Sequence, residues 1–197
     1  MTINELNAHI IDWAKERELD IKGTIEAQAI KTVEELSELI KAICKDKKED
    51  IIDGIGDVYV TLVIGNMFKR QRDLDPMFAK RNVLGSSNKE SMLRVLANII
   101  DLTLKEPYEE QTILYTMKDL HIVCKFYDLD FVECVESAYN TIKNRHGKLI
   151  DGMYVKDEDL ASGAVQKATP KLTNEIVNKI GNEIVKNFTN SFTNDLY

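Results

Sequence analysis

The sequence predicts an all-α protein, and three observations carry that expectation. Glycines and prolines are scarce, nine and three in 197 residues, which suits long helices better than the many turns of a sandwich or barrel. Apolar residues return at three- and four-residue intervals along most of the chain, the period of amphipathic helices. The abundant residues are Lys, Glu, Leu, Ile and Asn, with no fixed-period repeat. Together these describe a bundle of about five to six helices followed by a C-terminal amphipathic helix.

The elements follow in order. Ile3, Leu6, Ile10 and Trp13 put a short amphipathic helix over 3–17, and LDIKGT breaks it before a second helix opens near Thr24 or Glu26. Over 26–45 the buried stripe is Ile30, Val33, Leu36, Leu39, Ile40 and Ile43, and the polar DKKED segment turns the chain into a third helix over 49–70. These two should form an antiparallel hairpin. Pro76, Gly85 and two serines mark 71–90 as an irregular connection before a fourth helix over 90–105. After Pro107 a fifth helix is expected over 109–126, and Asp128–Asp130 turn into a sixth over 131–146, closed by Gly147. Beyond Val155 the character changes to a linker-like KDEDLASGAVQKATP, and Leu172, Ile176, Ile180, Ile184 and Phe188 then space out a last helix.

With 44% hydrophobic and 30% charged residues the chain can bury a core as one domain with an appendage. A formal charge of −7 argues against nucleic acid and anionic membrane as partners, while a local basic patch can still hold a phosphorylated small molecule. No apolar run is expected to reach the ~20 residues of a spanning helix, and MTINELNAHIIDW lacks the basic-then-apolar order of a signal peptide. A cytoplasmic location is the expectation. Cys44, Cys124 and Cys134 form no CxxC pair and are expected as reduced, buried small hydrophobes.

Two acidic clusters carry the chemistry. In VEELSEL, Glu34, Glu35 and Glu38 lie three and four residues apart on one side of the second helix; taken alone, such a face is usually solvated surface. In DIIDGIGDVYVTLVIG, Asp50, Asp53 and Asp57 again share one side, but of a helix whose remaining surface is apolar. Asp57 sits among Ile55, Val58, Val60, Leu62, Val63 and Ile64, and a carboxylate there must be paired, hydrogen-bonded or coordinated. Facing each other across the hairpin, the two clusters would repel strongly unless cations neutralised them or Lys and Arg paired with each acid. An all-oxygen ligand set selects Mg²⁺, with Mn²⁺ as substitute, or Ca²⁺, over zinc or copper.

VEELSEL followed by a helix containing IGDVYVTLV resembles the MazG-like, all-α nucleoside triphosphate pyrophosphatases, which share a fold with dimeric dUTPases. The family pattern is EExxE followed by ExxD. The resemblance implies an all-α pyrophosphatase domain over 1–157, with 72–127 an extended or inserted helical part, and 158–197 as linker and helical tail outside it. It implies Glu35, Glu38 and Asp57 as magnesium ligands. The ExxD glutamate is replaced by Gly54, so that Asp53, one residue earlier, or a water would supply the missing oxygen, with Asp50 in reserve. Glu34 would orient or deprotonate the attacking water, or support the ligands from behind. SAYNTIKNRHGKLIDG is similar to the segment by which the family holds sugar and phosphates, implying substrate contacts from Asn140, Lys143, Arg145 and Lys148. Helix capping would favour the same basic residues. Lys31, one turn before Glu35, would face the same pocket, and Gln28 would help position the base. Trp13 reads as core rather than as a base-stacking platform.

The implied activity is magnesium-dependent hydrolysis of a nucleoside triphosphate, such as dUTP or another pyrimidine deoxynucleotide, to monophosphate and pyrophosphate by a homodimer or homotetramer. The alternative is a catalytically weakened member of the fold that binds nucleotide, metal or a protein partner. No Walker loop, dinucleotide fingerprint or Ser/His/Asp order is present.

Overall fold

A computed structural model describes residues 1–69, Arg94, Ala97, Asn98 and 108–162. These belong to the first of two units, Met1–Ala164; the second, Val165–Tyr197, lies outside the described residues together with the helix expected over 172–188. The irregular connection over 71–90 and nearly all of the fourth expected helix lie outside them as well.

The all-α class holds: the described residues form seven helices and one two-stranded hairpin. Helix α1 spans Ile3–Glu16 and starts with a capping box, in which the Thr2 hydroxyl accepts from the Glu5 amide and the Glu5 carboxylate accepts from the Thr2 amide at 2.7 Å. Its buried stripe is Leu6, Ile10, Trp13 and Ala14. A left-handed Glu18 then turns the chain into α2, Leu19–Lys22. Helix α3, Ile25–Cys44, is capped by the Thr24 side chain, which accepts from the Ala27 amide.

Helix α4, Lys48–Phe68, is the axis of the fold. From Gly54 to Asn66 every residue is buried except Asp57, which is half-buried, and α3, α1, Glu110–Phe126 (α5) and Phe131–Ile142 (α6) all pack on it. By length and composition α4 could cross a membrane, against the sequence expectation, but 72% of its apolar window is buried inside the fold, as suits a core helix. Glycines let its neighbours come close. A Cβ on Gly54 would lie 3.0 Å from the Cα and Cβ of Leu39 on α3, and one on Gly56 would lie 2.4 Å from the Cys134 carbonyl oxygen on α6. Tyr108 crosses Gly65, and its hydroxyl hydrogen-bonds Thr32 at 2.6 Å.

Helix α6 begins at an Asp130 cap that accepts from the Val132 and Glu133 amides. It ends at Ile142 rather than near 146, and a hairpin follows that the helical reading missed: β1, Gly147–Ile150, pairs antiparallel with β2, Met153–Lys156. The turn is Asp151-Gly152, both at positive φ (50° and 81°), the Asp-Gly geometry that matches strand twist. A short α7, Asp157–Ala161, closes the described chain. The hairpin tip docks on the start of α3, where the Thr24 amide donates to the Gly152 carbonyl at 3.3 Å. Cys124 and Cys134 are buried as expected; Cys44, in the last turn of α3, is exposed instead, and all three are free thiols.

Candidate functional site

The α3–α4 hairpin orders the acidic residues by depth. Of the three glutamates on α3, Glu35 turns inward, its side chain 14% exposed, while that of Glu34 is 51% exposed and Glu38 is exposed. Lys31, one turn earlier, bridges Glu34 Oε2 at 2.5 Å and Glu35 Oε1 at 3.0 Å. Burial works against its ammonium, but the two carboxylates outweigh that cost and raise its pKa. On α4, Asp50 pairs with Lys47 at 3.5 Å on the open surface, Asp53 is exposed and Asp57 is half-buried.

Asp57 is where the electrostatics concentrate. Burial, then the nearby charges of Glu35 and Asp53, push its carboxyl from 3.8 up to about 7, against a smaller opposing pull from Arg145 and Lys156. Asp57 makes no ion pair among the described residues. Glu35, Asp53 and Asp57 thus share one field with two cations beside it. All their donors are carboxylate oxygens, the chemistry that suits a hard divalent cation. They are not drawn into a ready cage: among the described residues no three His, Cys, Asp or Glu side chains are close enough together to hold a metal. Glu38 and Glu34 face outward from this group.

The basic segment divides. Arg145 is half-buried and is one of the two cations acting on Asp57. Asn140 and Lys143 are exposed and bonded to each other at 2.7 Å, and Lys148 is exposed on β1. Gln28 is buried, and its amide donates to the Thr61 carbonyl at 3.0 Å across the α3–α4 interface, so its polar head is engaged in packing. Trp13 is 8% exposed, a core residue of α1, and its indole nitrogen has no hydrogen-bond partner among the described residues.

Sequence reasoning missed three residues here. Arg17, just past α1, reaches across the fold so that its Nε and Nη2 donate to the Arg145 carbonyl at 3.3 and 2.8 Å. Its guanidinium stacks on the Trp13 ring, 4.5 Å from the centroid. The Tyr154 hydroxyl donates to the same carbonyl at 3.1 Å, and its ring meets Trp13 edge-on. Lys156, two residues on in β2, is the second cation beside Asp57. The signal for Tyr154 and Lys156 was LIDGMYVK, an Asp-Gly turn between short apolar runs.

A protein of Haemophilus phage HP1, described as an uncharacterized 18.2 kDa protein in the rep-hol intergenic region, is 35% identical to this chain over 78 residues, 40% of this chain and 46% of the phage protein. The chain therefore matches less than half the length of that relative. No family model matches the chain, and no solved structure does.

Proposed function

We propose that the protein is a magnesium-dependent nucleoside triphosphate pyrophosphohydrolase, cleaving between the α and β phosphates. The observation that carries this reading is Asp57: a half-buried carboxyl raised to about 7 by burial and by Glu35 and Asp53, with no ion pair of its own. Uncompensated acids of this kind cluster where function requires them. The likeness of VEELSEL and IGDVYV to the MazG-like pattern supports the same site, and a phage relative fits a role in the nucleotide pool of replication.

Glu35, Asp53 and Asp57 would hold the cation, with Glu38 joining from the open side of α3 by a rotamer change. Bound magnesium would neutralise phosphate oxygens and lower the pKa of water. Glu34, at the mouth of the site, is placed to accept a proton from the attacking water once Lys31 shifts its weight to Glu35. Arg145 supplies a forked donor for phosphate oxygens.

A second reading has its own support. Lys31 ties Glu34 and Glu35 together, and Gly54 stands where the pattern has a glutamate. These suit a weakened member of the fold that binds nucleotide without turning it over. The test incubates the purified chain with a panel of canonical and modified nucleoside triphosphates, with and without magnesium, and identifies products by ion-exchange chromatography. Magnesium-dependent monophosphate plus pyrophosphate is expected. Diphosphate plus orthophosphate would refute the assigned bond, and absence of turnover alongside nucleotide binding would favour the second reading.

A further inference from the structure

Arg145 and Lys156 both act on Asp57, yet neither head group closes on a carboxylate: among the described residues their side chains form no ion pair and donate no hydrogen bond. Free cations are ordinary on an open surface. These two are half-buried, and the backbone beneath each is held firmly. The Arg145 carbonyl receives three donors, two from Arg17 and one from Tyr154. Its amide donates to the Ile142 carbonyl at 2.8 Å. Lys156 ends β2 in register with Gly147, and the amide of the next residue, Asp157, donates to the His146 carbonyl. On the strand, Tyr154 and Lys156 share a face, and Tyr154 fixes that face against Trp13 on α1. The hairpin and the end of α1 therefore carry two cations to the edge of the carboxylate group and leave both heads open.

We propose that Arg145 and Lys156 form a seat for a phosphoanion, the pyrophosphate portion of a polyphosphate chain, and that Arg17 is the positioning residue that holds Arg145 in it. This rests on the proposed function, in which pyrophosphate is a product. Glu35 and Asp53 repel a bare polyanion, so the anion arrives with a divalent cation. The carboxylates face the cation, and the outer oxygens fall to an arginine fork and a lysine point charge. Lys31 does not belong to the seat, because its ammonium is engaged by Glu34 and Glu35.

The experiment is calorimetric titration of the full chain with inorganic pyrophosphate in the presence of magnesium. Wild type should bind. Lys156→Gln and Arg145→Gln should each weaken binding about tenfold, the loss of one charged contact, while Lys156→Arg should retain it. Arg17→Lys keeps the charge but not the fork, and should weaken binding about threefold; Tyr154→Phe, which removes one hydroxyl, should do the same. Thermal melts establish that each variant is folded, and Lys156, half-exposed at a strand end, is the variant least able to disturb the core. Wild type that fails to bind, or Lys156→Gln that binds like wild type, overturns the seat. Lysine-dependent pyrophosphate binding by a chain that hydrolyses no triphosphate would leave the seat standing and remove the catalytic reading. Full hydrolysis by Lys156→Gln with unchanged pyrophosphate affinity would do the reverse.

Discussion

At Asp57 the fold holds a proton more tightly than the unfolded chain does. The carboxyl titrates at about 7 in the fold against 3.8 as the ordinary value, so between those two pH values the folded state carries the extra proton. Stability of the metal-free protein therefore falls as pH rises through that window and levels off above it. Asp57→Asn removes the titration and should flatten the fall, raising metal-free stability near pH 8 by roughly 2 kcal/mol while abolishing turnover. Chemical denaturation at pH 5 and pH 8 checks it; equal pH dependence in mutant and wild type would mean that Asp57 does not feel Glu35 and Asp53 as described. Gly54 offers a second single-residue test. Its Cβ would meet the Leu39 Cα and Cβ at 3.0 Å, so Gly54→Glu, which restores the glutamate of the resembled pattern, drives a long side chain into the α3 contact. It should lower stability by about 1–3 kcal/mol and not raise activity. The substitution that looks like a lost ligand in the sequence is, in the fold, a condition of close helix packing.

The helices themselves argue from their glycines and caps. Gly56→Ala places a methyl 2.4 Å from the Cys134 carbonyl oxygen, a backbone atom that cannot swing aside, whereas Gly54→Ala meets Leu39 at 3.0 Å. Alanine gains about 1 kcal/mol of helix propensity over glycine at either position. Gly54→Ala should therefore be near neutral, and Gly56→Ala should destabilise by about 2–4 kcal/mol by forcing α6 off α4. Thermal melts of the pair decide it, and equal Tm values would contradict the packing described. The elements most legible in the sequence were those whose apolar stripe does the packing. Leu6, Ile10 and Trp13 marked α1, and the continuous apolar run of α4 announced a helix covered on nearly every side. The end of α6 was not legible as a helix stop. The basic run after Ile142 imitates a C-terminal turn, and alternation in LIDGMYVK is too short to outweigh a helical period unless Asp-Gly is given its full weight as a hairpin turn.

Across the whole molecule the site draws on segments far apart in the chain: α3 and α4 for carboxylates, Arg145 and β2 for cations, and the end of α1 for the clamp on Arg145. The acidic half was readable because the spacing of Glu35, Asp53 and Asp57 along two adjacent helices already puts them on facing sides. What the spacing could not supply was depth. Glu34, Glu35 and Glu38 share one side of α3, and only packing against α4 separates the inward Glu35 from its exposed neighbours. Nor could it join Arg17 to Arg145, a contact between residues 128 positions apart. A net charge of −7 with three acids in one field predicts how the entire fold answers to magnesium. At pH 8 added magnesium should raise Tm beyond what sodium chloride of equal ionic strength does, with stabilisation of about 2.7 kcal/mol when the free ion is a hundredfold above its Kd. At pH 5 the proton on Asp57 competes with the metal, and the shift should shrink. Asp57→Asn should lose most of it at either pH. A Tm at pH 8 that responds no more to magnesium than to sodium would remove the metal from the site and leave these carboxylates as a repulsive cluster tolerated by a stable core.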